Sequence, residues 1–243
     1  MSRRADAGGY LEQSRRPLPI LVFVLPLVVA YEFSLSAAAF DDLPGIAARG
    51  LLARFFDLFG VAGLHVPAVA LVVALLCTHL VRDGVRPGAW RFGPWVPVGI
   101  AVEGAALALP LLVFSAVAGG LGPAVAAGAA TAGSVAEALA LAIGAGLYEE
   151  LVFRMLGFAL VGVLLEDLMG LPRRAWIPLG LVVTSVAFAA LHGVPGARGV
   201  GWERSLFYFS AGVYFGVLYI VRGFGVAVGA HTIYDIIALL PSE

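Results

Sequence analysis

Three short stretches of this chain carry ionisable side chains among residues that are almost all apolar. Residues 148–154 read YEELVFR and hold Glu149, Glu150 and Arg154. Residues 188–193 read FAALHG and end on His192, and residues 231–235 read HTIYD, with His231 and Asp235 four apart. A charge at the centre of a membrane helix costs about 2.5–3.5 kcal/mol, so three unpaired charges would cost on the order of 8–10 kcal/mol. Such residues face the inside of a bundle and need partners. Glu150 and Arg154 share a helix face, so an ion pair between them is expected. Glu149 points about 100° away from Glu150 and must find its partner across the bundle. In the third stretch, Asp235 one turn from His231 is placed to fix the imidazole's tautomer and orientation.

These residue types suit general acid–base chemistry. Burial disfavours the ionised form of a carboxylate, which suits a proton acceptor near neutral pH. Imidazole groups nearby can stabilise an oxyanion. None of the three stretches presents a Ser or Cys nucleophile, so water is the expected attacking group. Two histidines with carboxylates also suit zinc. There is no HExxH, and spacing alone does not choose. No obligatory metal is expected; were one bound, Glu149, His192 and His231 would be its ligands. His65, at a span entry, and His79, near a span end, read as packing or snorkelling residues.

The elements that hold these side chains are membrane helices. The chain has 243 residues, 61% hydrophobic and only 13% charged, against roughly half apolar and a quarter charged in a soluble domain. Long apolar runs recur from end to end, which predicts an all-α, polytopic transmembrane bundle. Spans are expected at 18–39, 63–81, 95–118, 134–166, 176–192, 205–221 and 224–240. Pro26 marks a kink in the first of these, and residues 45–59 read as an interfacial helix. That makes seven spans, or eight if the interfacial helix inserts. The 134–166 segment would be roughly 50 Å long as one helix, more than a bilayer core needs. It must tilt, protrude, or break near Gly144 or Gly146. The single Cys77 excludes an internal disulfide and a CxxC site.

All 15 basic residues are Arg, and most fall on one side of the alternating spans: Arg3, Arg4, Arg15, Arg16, Arg82, Arg86, Arg91, Arg173, Arg174 and Arg222. The Asp41–Asp42 loop falls on the other side, with Arg198 and Arg204 as exceptions. The N-terminus is therefore expected in the cytoplasm, and Arg without Lys beside abundant Ala, Gly and Val points to a GC-rich bacterial genome and hence a bacterial inner membrane. The first apolar run reads as an uncleaved helix rather than a signal peptide. Three regions follow: an N-terminal tail at 1–17, N-terminal spans at 18–129 and the site-bearing spans at 130–240. No nucleic-acid partner is expected.

EELVFR, FAALH and HTIYD, in that order, resemble the EExxxR, FxxxH and HxxxN/D blocks of the CPBP (CAAX protease and bacteriocin-processing) intramembrane proteases. The resemblance covers roughly residues 130–240. It implies a glutamic-type intramembrane endopeptidase acting on a membrane-attached protein or peptide. By that resemblance Glu149 activates water, Glu150 and Arg154 hold the helix and tune its charge, His192 helps bind or activate the water, and His231 with Asp235 polarises the scissile carbonyl. Asp235 stands where many members carry Asn, and an Asp donates a hydrogen bond only when protonated. Two rival classes remain open at this point: a proton-coupled transporter with Glu149, His192 and His231 as a relay, and a non-catalytic immunity or scaffold protein.

Overall fold

The computed structural model describes residues 9–36, 46–84, 88–117, 134–193 and 201–239. The Asp41–Asp42 loop, Arg3, Arg4, Arg86 and Arg198 lie outside them. All regular structure among the described residues is helical: α1 (Tyr10–Gln13), α2 (Pro17–Ser36), α3 (Ala47–Asp57), α4 (Val66–Arg82) and α5 (Val96–Val117). Then comes a long rod, α6, which runs as α-helix over Val135–Glu149, widens to a π-helix over Glu150–Leu156, returns to α over Gly157–Gly162 and widens again over Val163–Leu168. It is followed by α7 (Arg173–Leu191), α8 (Trp202–Arg222) and α9 (Phe224–Leu239).

Local sequence sets the helix ends. Ser134 caps α6, its hydroxyl accepting from the Glu137 N–H at 3.2 Å, as in a Ser-x-x-Glu capping sequence. Pro67 begins α4 in the first turn, where a missing N–H costs nothing. A single residue, Gly223 at φ +94, separates α8 from α9 and takes a backbone conformation other L-residues rarely adopt.

The helices α2, α5, α7 and α8 are long and apolar enough to cross a membrane, and α4 and α9 are shorter apolar helices. Their outward faces stay apolar: Val98, Val102, Leu109 and Val113 on α5 are all exposed. A face of that kind suits lipid rather than water. The centre of the bundle is α9, buried at every position from Phe224 to Thr232 and packed against α5 and α6. Small residues allow this approach. A Cβ on Gly104 would lie 2.9 Å from the Gly229 backbone. One on Gly146 would lie 2.1 Å from Thr232 Oγ1, and one on Gly144 would lie 2.2 Å from Ile46 and 2.3 Å from Tyr31.

Several expectations change. Gly144 and Gly146 do not break α6; they are the points where α2, Ile46 and α9 touch it. The helix continues two residues beyond 166, and the turn to α7 is short, with Gly170 at φ +70. The end of the expected N-terminal tail is folded in place. Tyr10 donates to Glu103 Oε2 at 2.6 Å, and Arg222 binds the same carboxylate through Nε and Nη2 at 2.5 and 2.8 Å. The helix expected at the interface, α3, has 11 residues, about 16 Å of helix, against a hydrocarbon core of roughly 30 Å. Pro26 sits within an unbroken α2. His79 is fully buried and packs edge-on against Trp90, whereas His65 meets Glu32 at 2.5 Å.

Candidate active site

The π-helical turns of α6 carry the first stretch. Wide turns of this kind inside α-helices are frequent at functional sites. Glu150 and Arg154 pair as their spacing requires, with Arg154 Nη1 3.0 Å from Glu150 Oε1. Both side chains are buried. Arg154 also donates through Nη2 to the Gly212 carbonyl at 3.2 Å. Its guanidinium carbon lies 4.5 Å from the Phe188 ring centroid and 5.6 Å from that of Phe215. Carboxylate, carbonyl and aromatic faces together compensate a cation removed from solvent.

Glu150 has a second role that helical spacing did not reveal. The same Oε1 that meets Arg154 lies 2.7 Å from His231 Nδ1. A carboxylate in an ion pair accepts, so Nδ1 carries the proton and donates to it. His192 is fixed in the same manner, with Nδ1 2.9 Å from the Phe188 carbonyl, a group that only accepts. With both Nδ1 atoms donating, the two Nε2 atoms are directed elsewhere, and both face Glu149. Its Oε2 is 3.7 Å from His192 Nε2 and 3.8 Å from His231 Nε2. That oxygen is buried and has no hydrogen-bond partner among the described residues. Asp235 Oδ2 approaches His231 Nε2 at 3.5 Å.

All six residues singled out in the sequence are thus in one neighbourhood. Glu149, His192, His231 and Asp235 line a cavity of about 260 Å³, while Glu150 and Arg154 lie behind it. Among the described residues, no group of three or more His, Cys, Asp or Glu side chains is disposed to hold a metal ion.

Sequence reading missed the contribution of α8. Tyr208 stacks on the His192 ring at 4.1 Å, and Phe215 stacks on the His231 ring at 4.3 Å. These residues, with Arg204 and Ala211, line the cavity at intervals of three and four, the period of one helix face. That stripe was visible in the sequence, but a stripe of this kind usually means only core packing. Tyr148 was also missed. Its hydroxyl donates to Glu32 Oε1 at 2.7 Å and ties α6 to α2 directly beside Glu149.

The cavity is formed where α7 ends, α8 begins and α9 ends, as His192, Arg204 and Leu239 in its wall show. Arg173 and Arg222 are at the opposite ends of α7 and α8. The cavity therefore lies toward the end of the bundle away from the Arg-rich turns.

Residues 131–237 match the family model described as Type II CAAX prenyl endopeptidase Rce1-like. No curated protein and no solved structure matches the chain. The family match spans the three sequence blocks and bears out their resemblance to the CPBP proteases. Together with the long apolar helices, it makes this an integral membrane protein. The match covers less than half of the chain, from the approach to α6 to the last turns of α9, and over that segment the chain is similar to the Rce1-like type II CAAX prenyl endopeptidases.

Proposed function

We propose that the chain is an intramembrane endopeptidase that hydrolyses a peptide bond of a membrane-attached protein substrate, with Glu149 activating the attacking water. The observation that carries this reading is the placement of an unpartnered Glu149 Oε2 opposite two oriented Nε2 atoms at 3.7 and 3.8 Å, in the wall of a cavity. Separations of this size are too long for direct hydrogen bonds, and a water in the adjoining cavity can reach these atoms from one side.

Glu149 accepts a proton as the water oxygen bonds to the carbonyl carbon. His192, locked by the Phe188 carbonyl, positions that water. His231 has acceptors at both ring nitrogens, Glu150 at Nδ1 and Asp235 at Nε2, which suits a doubly protonated ring able to donate to the oxyanion. Asp235 then orients His231 and need not itself donate, so the departure from Asn is accommodated. The proton held by Glu149 passes to the leaving nitrogen as the C–N bond breaks. No step calls on a metal.

Seven spans alternate through the bundle in this reading, with α3 on the interface. The Arg-rich end is cytoplasmic under the charge rule. The cavity then opens toward the opposite leaflet, and the substrate is a segment presented there.

The test compares membrane proteins from cells carrying the wild-type chain and its Glu149→Gln variant. Peptides ending at a new cleavage point should appear only with the wild type. The purified enzyme should cleave the same substrate equally before and after chelation. Identical protein termini in the two strains sink the hydrolase reading, and activity abolished by chelation and restored by zinc sinks the metal-free mechanism.

A further inference from the structure

A second cavity, of about 710 Å³, shares no lining residue with the first. It lies at the Arg-rich end of the bundle, where α2 begins, α4 ends, α7 begins and α8 turns into α9. Its volume is within the roughly 300–1,000 Å³ of small-molecule sites. Its wall has two chemical parts. Arg15, Arg82 and Arg173 supply three guanidinium groups, and no carboxylate lines the cavity. The remainder is mainly apolar, including Ile20, Leu75, Phe158, Trp176 and Phe224.

The three cations are not neutralised locally. Arg15 donates to the Ile220 carbonyl. Arg82 and Arg173 are exposed and make no ion pair among the described residues. The nearby Glu166 is engaged by Trp176 Nε1 at 2.7 Å and does not line the cavity. Nothing in the catalytic reading uses this space.

We propose that this cavity binds an anionic phospholipid of the surrounding membrane, its phosphate on Arg82 and Arg173 and its glycerol and upper acyl segments along the apolar wall. A guanidinium matches phosphate oxygens with paired N–H donors. Basic pockets between membrane helices take lipid headgroups for this reason. The apolar wall commits the site to an amphiphile rather than a free anion. A lipid here bridges α2 and α4 on one side to α6 and α7 on the other. It would act on how the two halves of the bundle are held, without touching the catalytic cavity.

Native mass spectrometry of the purified chain with phosphatidylglycerol or phosphatidylcholine tests this. The wild type should retain phosphatidylglycerol preferentially, and inorganic phosphate should not displace it. Arg82→Gln/Arg173→Gln should lower that retention at least about tenfold. Arg82→Lys/Arg173→Lys should keep much of the preference, and Arg54→Gln, a distant exposed arginine, should change nothing. If the glutamine double variant fails to accumulate, Arg173→Gln alone serves, because that side chain is exposed in the first turn of α7. Equal retention of the two lipids, wild-type retention by the glutamine variant, or displacement by inorganic phosphate overturns the proposal. None of these outcomes depends on proteolysis.

Discussion

His231 is hydrogen-bonded through Nδ1 to Glu150 at 2.7 Å and presents Nε2 to Glu149 at 3.8 Å. One imidazole from α9 therefore joins two adjacent carboxylates of α6 that point in different directions. Glu150 fixes the ring, and the fixed ring faces Glu149. Neutralising each glutamate should consequently give different results.

Glu149→Gln keeps size and removes the ionisable group. Its Oε2 has no hydrogen-bond partner among the described residues, so folding loses little. The variant should accumulate like wild type, with turnover reduced at least about a hundredfold. Yield and thermal unfolding in detergent, measured beside cleavage of a membrane-attached substrate, check both halves. Wild-type turnover by a folded Glu149→Gln protein removes Glu149 from the chemistry.

Glu150→Gln should lose both stability and activity. It strands the buried Arg154 cation and loosens His231. Breaking one partner of a buried pair costs about 3–5 kcal/mol. Arg154→Ala should behave alike from the other side. The double variant Glu150→Gln/Arg154→Met, which removes both charges, should recover much of the stability but not the turnover. Comparing unfolding temperatures of the three variants decides it, and a double variant no more stable than the singles contradicts the charge-pair account.

Gly146→Ala should destabilise the bundle by about 1–3 kcal/mol, the usual cost of overpacking, because its Cβ would meet Thr232 Oγ1 at 2.1 Å. Thr232→Ala in the same chain should return part of that loss. Two additive losses would mean that the α6–α9 contact is not the cause.

The orientation is checked by single-cysteine labelling in a Cys77→Ser background. Arg91→Cys and Arg174→Cys should react only from the cytoplasm, and Glu203→Cys only from outside. Labelling of Arg174→Cys in intact cells by an impermeant reagent reverses the membrane orientation and the leaflet assigned to the substrate.

Hydropathy and spacing alone determined the all-α membrane class and the Glu150–Arg154 pair. Each depends on a local quantity: a run of apolar residues, or a helical repeat that places positions four apart on one face. The three blocks also carried the family resemblance, since it lies in residue order. Which carboxylate holds His231, and which is left facing the cavity, was decided only by tertiary packing. The partners are separated by most of the C-terminal half of the chain, and the π-helical turns of α6 are not encoded in any simple period. Gly144 and Gly146 show the same division. Glycine in sequence reads equally as a break or as a close contact, and only Tyr31, Ile46 and Thr232 arriving from other parts of the chain select the contact. The imidazoles' aromatic supports, Tyr208 and Phe215, lie on an ordinary helix face that gains meaning only when α8 is laid against α7 and α9.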